Sequence, residues 1–158
     1  VGKAWCDSAH CELLDESKLI TLGDESILLM HGDSLCTDDV EYMKARVMLR
    51  NPQWQDQLLA KSIPERIEFA KQVRSESTES QKAKSYDIMD VNQEAVDKVL
   101  SEANCTTMIH GHTHRPDIHQ WEFAGKNRTR YVLGDWGDKG WFIKWQAGEE
   151  LKLESFDL

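Results

Sequence analysis

The sequence predicts an α/β fold, and three observations support that prediction. Short runs typical of buried strands lie at residues 26–30 and 106–109. Residues 92–103 have helical periodicity and come directly before the second run, which gives the helix-then-strand order of such folds. Each run leads into a histidine and a glycine, and layered α/β proteins place their sites at the ends of strands.

Composition narrows the class of protein further. The chain has 158 residues, 40% hydrophobic and 30% charged, which suits one soluble globular domain. A formal net charge of −9 argues against a nucleic-acid partner. No apolar run approaches the roughly 18 residues of a membrane span, and residues 1–5 do not form a signal peptide.

The other strands are predicted from short apolar runs between turn residues. A turn at 23–25 separates the first two, and the C-terminal third is expected to consist of strands. The predicted strands are residues 18–22, 26–30, 106–109, 129–133, 141–145 and 150–156.

Helices are predicted between the second and third strands. Asp38 and Asp39 can cap a helix that ends near residue 51. Residues 53–84 are also predicted to be helical, with an interruption where serine and threonine cluster after Arg74. Lysine and arginine are concentrated in this region. On charge alone, a solvated helix face is favoured over an anion site. The helix at 92–103 is expected to bury Val91, Ala95, Val99 and Ala103.

Three histidines alternate at positions 110, 112 and 114. In extended backbone alternate side chains point the same way, so His112 and His114 are expected to aim at one point. Neutral imidazole is a common metal ligand, and Gly111 lets the backbone pass close to an ion. The pattern predicts a metal site that His31 joins from the earlier strand. A hydrogen-bonded structural role is the alternative for His31.

The four cysteines point to no second metal site. None belongs to a Cys-x-x-Cys pair. Cys6, His10 and Cys11 lie close together, but no matching ligand pair exists elsewhere, so zinc is the less favoured interpretation. We expect free thiols in a reducing cytosol.

The two histidine motifs resemble those of a known family. His31-Gly32-Asp33 and Gly111-His112-Thr113-His114 are similar to the last two metal motifs of the calcineurin-like metallophosphoesterases. Longer segments resemble the UDP-2,3-diacylglucosamine diphosphatase family of the lipid A pathway, over nearly the whole chain from about residue 19. These segments are residues 31–39, 88–92, 109–116 and 132–136.

The earlier motifs of that superfamily are not found upstream of His31. They are Asp-x-His, Gly-Asp-x-x-Asp and Gly-Asn followed by His or Arg. Residues 134–138 fit the second pattern in letters, but they follow the histidine motifs. The chain therefore resembles the C-terminal two-thirds of the enzyme. We expect residues 1–158 to be the C-terminal part of a single domain, with a helical cap inserted at about 38–86.

The resemblance implies both a fold and a reaction. The fold is a four-layer αββα β-sandwich with an inserted helical cap, its N-terminal part missing from this chain. The reaction is hydrolysis of the pyrophosphate bond of UDP-2,3-diacylglucosamine, which gives UMP and 2,3-diacylglucosamine 1-phosphate (lipid X). Two Mn²⁺ ions would activate a water that attacks the α-phosphorus.

The resemblance also assigns residues to roles. The catalytic metal ligands are His31, His112 and His114, and His112 also contacts the substrate phosphate. Gln81 stands where the family has a basic contact. The implied substrate-binding residues are Asp39, Arg74, Ser77, Gln81, Lys84 and His112.

The implied setting is the cytoplasmic face of the inner membrane of a Gram-negative bacterium. There a monomer would make peripheral contact with the membrane surface and take its lipid substrate. Two alternatives are another nucleotide-linked phosphodiesterase and a non-catalytic metal- or ligand-binding fragment. Because the chain has only three of the expected ligands, we expect weak metal binding and negligible turnover from it alone. Manganese comes from the family, since these donors would also accept Zn²⁺, Fe²⁺ or Co²⁺.

Overall fold

The computed structural model describes residues 2–82 and 88–158, without the side chains of residues 76 and 79–82. Its helices are α1 (Lys3–Ser8), α2 (Val40–Leu49), α3 (Pro52–Leu59), α4 (Ile63–Lys82) and α5 (Gln93–Glu102). Its strands are β1 (Ser17–Leu22), β2 (Glu25–Met30), β3 (Thr107–His110), β4 (Asp117–Phe123), β5 (Lys126–Val132), β6 (Lys139–Lys144) and β7 (Lys152–Asp157). None of the helices in these ranges has the length and apolar character of a membrane span.

The chain packs as two units. One comprises residues 1–35 and 93–158 and holds all the assigned strands, and the other comprises residues 36–92. The second unit includes the stretch predicted to be an inserted cap, and its role as a cap stays a prediction.

A five-stranded mixed sheet forms the centre of the first unit, with the strand order β1-β2-β3-β5-β4. Strands β2, β3 and β5 are parallel, whereas β1 and β4 pair antiparallel at the two edges. The central strand β3 is buried on both faces, as its apolar sequence predicts. The predicted α/β class is confirmed.

The two faces of this sheet meet different neighbours. Leu29, Ile109 and Tyr131 are aligned by strand register on one face. They share a core with Leu151 and with Ile143 of the two-stranded β6–β7 sheet. Two sheets therefore pack on one apolar core, which is the arrangement of a β-sandwich.

Helix α5 contacts strands β4 and β5 through Asp97, which binds Trp121 and Arg128. Val96 and Leu100 are fully buried beside Asp97. The predicted stripe of Val91, Ala95, Val99 and Ala103 is only partly buried. The buried face is displaced by one residue because the polar contacts of Asp97 fix the rotation of the helix.

Local hydrogen bonds define the helices of the second unit. Asp39 caps α2 by accepting a hydrogen bond from the Tyr42 amide at 3.0 Å, as predicted. Before helix α4, Glu65 accepts hydrogen bonds from the amide and hydroxyl of Ser62, and the bond from the amide is one half of a capping box. At the ends of the unit, the Asn92 amide donates to both oxygens of Asp38 at 3.0 and 3.1 Å.

The predicted helix break after Arg74 is wrong, because α4 runs without interruption from Ile63 to Lys82. The Thr78 hydroxyl donates to the carbonyl of Arg74, one turn earlier, at 2.8 Å. A hydroxyl bonded in this way weakens a helix only slightly and does not end it. The break lies instead at residues 60–62, between α3 and α4.

Strand β4 was not predicted. It forms a hairpin with β5 across Ala124 and Gly125, whose φ angles are +51° and +72°. Two central residues with positive φ are typical of the two-residue turns that match the twist of a hairpin.

Candidate functional site

Three loops meet at one edge of the central sheet because three parallel strands end there. Met30 at the end of β2 pairs with His110 at the end of β3, and His110 pairs with Val132 at the end of β5. The loops carry His31-Gly32-Asp33, Gly111-His112-Thr113-His114 and Gly134-Asp135.

Two of the three predicted metal ligands are adjacent. The imidazole rings of His31 and His112 have their centroids 4.9 Å apart at an interplanar angle of 61°. A backbone hydrogen bond of 3.1 Å from the Gly111 amide to the His31 carbonyl joins their two loops. The strand ends therefore bring together histidines that are 81 positions apart in the sequence.

His112 and His114 do not lie on extended backbone, so the predicted strand-like alternation of their side chains is wrong. Their φ angles are +66° and +53°, so both residues lie in the left-handed region. The chain turns directly after β3, where the Thr113 amide donates to the Gly111 carbonyl at 2.8 Å. Strand alternation does not orient these two side chains, and the loop does so instead.

Each of the two exposed histidines has a carboxylate at its Nδ1 atom. Asp33 Oδ1 lies 3.0 Å from His31 Nδ1, and Asp135 Oδ2 lies 4.0 Å from His114 Nδ1. Sequence reasoning missed both acids. The available signals were the acidic residue two positions after His31 and the Gly-Asp pair that follows a strand.

The third alternating histidine, His110, is 1% exposed and lies beneath the loops. Its Nε2 lies 3.2 Å from Nη1 of the buried Arg130, and its Nδ1 lies 2.9 Å from the Gly111 carbonyl oxygen. A guanidinium can only donate, so Nε2 accepts and Nδ1 carries the proton that is donated to Gly111. His110 thereby fixes the start of the loop that carries His112.

The described residues at these loops include donor atoms of the kind that a divalent metal prefers. Imidazole and carboxylate donors suit a divalent transition metal, and the buried Thr113 hydroxyl has no hydrogen-bond partner within the described part of the chain. Yet no three histidine, cysteine or acidic side chains in that part converge to hold an ion. A complete site would need further ligands.

Apart from His112, the predicted substrate-binding residues belong to the second unit. Asp39 caps α2, and the exposed Arg74 and Ser77 lie one turn apart on α4. Gln81 follows one turn later on the same helix, and Lys84 lies outside the described residues. These assignments stay predictions.

The fold and the three loops define a mixed α/β protein with a histidine–carboxylate site at the carboxyl edge of its parallel strands. No family model matches the chain. A UDP-2,3-diacylglucosamine hydrolase of Chromohalobacter salexigens is 44% identical over 99% of the chain and 64% of its own length. Proteins of the same name from Bordetella pertussis and Pseudomonas putida are each 45% identical, over 100% and 91% of the chain.

The chain is therefore a homologue of the UDP-2,3-diacylglucosamine hydrolases along nearly its whole length. It spans less than two thirds of the length of these relatives, between 60% and 64% for the three named. Among solved structures, Vps29 of Entamoeba histolytica matches with a TM-score of 0.39 and 16% identity, over 95% of this chain and 66% of that one. Vps29 of Cryptosporidium parvum gives 0.35 and 12%, over 90% and 57%. Both TM-scores are low, so the assignment depends on the sequence relatives.

Proposed function

We propose that the whole protein hydrolyses the pyrophosphate bond of UDP-2,3-diacylglucosamine. The products are UMP and 2,3-diacylglucosamine 1-phosphate, an intermediate of lipid A biosynthesis. The observation that carries this proposal is the 44–45% identity to hydrolases of that name over nearly the whole chain. The contact between His31 and His112 at one edge of the sheet also supports the proposal.

The proposed site includes His31, His112 and His114 as ligands of divalent metal, with Mn²⁺ as the proposed ion. Two such ions, when bound, supply an activated water and neutralise charge on the phosphoryl oxygens. The remaining ligands would come from the part of the relatives' length that this chain does not span. His112 is also proposed to contact the substrate phosphate.

The second unit is proposed to bind the acylated sugar phosphate. Cationic and polar groups suit the phosphates, and an apolar wall suits the acyl chains. Ile63 and Ile67 of α4 support this role because they are 64% and 51% exposed despite their apolar side chains. The proposed contacts are Asp39, Arg74, Ser77, Gln81 and Lys84.

A lipid substrate also suggests where the protein works. We propose peripheral contact with the cytoplasmic face of the inner membrane of a Gram-negative bacterium, made by a monomer. Exposed apolar side chains next to charged ones support contact with a lipid surface without a membrane span.

The proposed activity is tested by UMP release from UDP-2,3-diacylglucosamine with added Mn²⁺. We expect His112→Ala in the whole protein to lower the rate by at least about 100-fold, since even the outer partners of metal ligands contribute 10–100-fold. His119→Ala is the matched control, because His119 lies on β4 rather than in the three loops. Residues 1–158 alone should show negligible release and weak Mn²⁺ binding.

Three results would contradict the proposal. If the His112→Ala variant and the parent turned over substrate at the same rate, His112 would not be part of the site. Equal rates on acylated and unacylated UDP-sugars would favour another nucleotide-linked phosphodiesterase. Tight binding of two Mn²⁺ per chain by residues 1–158 would show that no further ligands are needed.

A further inference from the structure

Asp33 and His31 are in contact through one carboxylate oxygen and one ring nitrogen. Asp33 Oδ1 lies 3.0 Å from His31 Nδ1, which is hydrogen-bond distance. The Asp33 side chain is 4% exposed, whereas the His31 side chain is 57% exposed. A buried carboxylate thus lies against one nitrogen of an imidazole that is more than half exposed.

The backbone around Asp33 keeps this carboxylate in place. Asp33 begins a 3-10 turn, Asp33–Leu35, which the Leu35 amide closes by donating to the Gly32 carbonyl at 3.0 Å. Gly32 has a φ of +103°, and the His31 carbonyl accepts from the Gly111 amide. These backbone contacts hold the loop on which the buried carboxylate lies.

We propose that Asp33 is a positioning residue that fixes His31 in the Nδ1–H tautomer. An ionised carboxylate only accepts hydrogen bonds, so the proton of a neutral imidazole is held on Nδ1. Nε2 then carries the lone pair that is available to a metal ion, as in metal-binding histidines whose other nitrogen is hydrogen-bonded to a carboxylate. The value of this arrangement for catalysis rests on the proposed function. Asp135 stands at the same nitrogen of His114 at a longer distance.

The tautomer is read directly by long-range ¹H–¹⁵N correlation spectra of the ¹⁵N-labelled chain at mildly alkaline pH, where an imidazole is neutral. A His31→Gln variant assigns the signal. We expect His31 to show the Nδ1–H pattern in the parent. Asp33→Ala should shift it towards the Nε2–H form, and Asp33→Asn should preserve it in part, since the amide oxygen still accepts.

His110 provides an internal reference, because its Nδ1 donates to the Gly111 carbonyl at 2.9 Å and its Nε2 accepts from Arg130, so it should keep the Nδ1–H form in every variant. An Nε2–H pattern for His31 in the parent would overturn the proposal, even if Asp33→Ala did not fold. An unchanged His31 pattern in a folded Asp33→Ala variant would also overturn it.

A second measurement separates this proposal from the proposed function. In the whole protein, Asp33→Ala should weaken Mn²⁺ binding by about 10–100-fold and Asp33→Asn by less, while KM for the substrate stays near that of the parent at saturating Mn²⁺. If replacing Asp33 changes the His31 tautomer but the parent releases no UMP, the proposed function fails and the positioning role stands. If the parent releases UMP and replacing Asp33 leaves the His31 tautomer unchanged, only the positioning role fails.

Discussion

Replacing Asp97 with alanine is expected to destabilise the folded chain by about 3–5 kcal/mol. The Asp97 carboxylate accepts hydrogen bonds from Arg128 at 2.7 Å, Trp121 at 2.9 Å and Gln93 at 3.2 Å. The Arg128 side chain is only 5% exposed, so the variant leaves a guanidinium buried without its counter-charge. Urea unfolding followed by circular dichroism measures the change.

An exposed ion pair is the matched control for this prediction. Lys3 and Asp7 lie 2.8 Å apart with side chains 83% and 62% exposed, so Asp7→Ala should change stability by less than about 0.5 kcal/mol. Adding Arg128→Leu to Asp97→Ala should recover part of the loss, because the buried charge is then removed as well. Equal losses in the two alanine variants would show that burial of the Asp97–Arg128 pair does not matter.

The same carboxylate gives the stability a pH dependence. Burial raises the pKa of Asp97, but hydrogen bonds from Trp121, Gln93 and Arg128, with the charge of Arg128, outweigh it and leave the pKa below its ordinary value. A lowered pKa in the folded state stabilises the fold above the unfolded value of about 3.9. This contribution is lost as the pH falls below that value, so the parent should lose more stability in acid than Asp97→Ala.

Replacing Gly32 with alanine is the second change with a large expected effect, about 2–5 kcal/mol. The φ of +103° is unfavourable for any residue with a Cβ atom. An added Cβ would also lie 2.7 Å from Nδ1 of His110, a buried ring that has no room to move. The loop between His31 and Asp33 would be displaced, so metal binding by the whole protein should weaken as well.

Gly148→Ala separates the two causes. Gly148 has a φ of +84° but no atom within 4 Å of the added Cβ, so only backbone strain of about 1–2 kcal/mol is expected. Both variants are compared by the midpoint of urea unfolding. The same loss in both would mean that the contact between Gly32 and His110 contributes nothing.

The sequence was sufficient for the framework of the site but not for its details. The apolar runs before His31 and His110 predicted two buried strands, and parallel pairing of these strands brings His31 and His112 together. Strand β4 was missed because apolar and polar residues alternate only weakly along it. The turn that joins it to β5, Ala124-Gly125, also lacks the commonest turn residues.

Other features depend on tertiary contacts that no local pattern records. The left-handed backbone of His112 and His114 accompanies two hydrogen bonds of Gly111. Its amide donates to the His31 carbonyl, and its carbonyl accepts from the Thr113 amide. The partnership of Asp135 with His114 requires β5 to lie beside β3, and a pairing between strands cannot be read from either one alone. Such contacts become visible only when the sheet order is known.

The pairing of β2 with β3 also sets the order in which the site can be made during synthesis. Met30 pairs with His110, 80 residues later in the chain. At ribosomal rates of about 5–20 residues per second, His31 would emerge some 4–16 s before its neighbouring strand. For that interval β2 can pair with β1 but not yet with β3, while unit 36–92 is translated. The helical unit therefore has time to fold before the histidines meet.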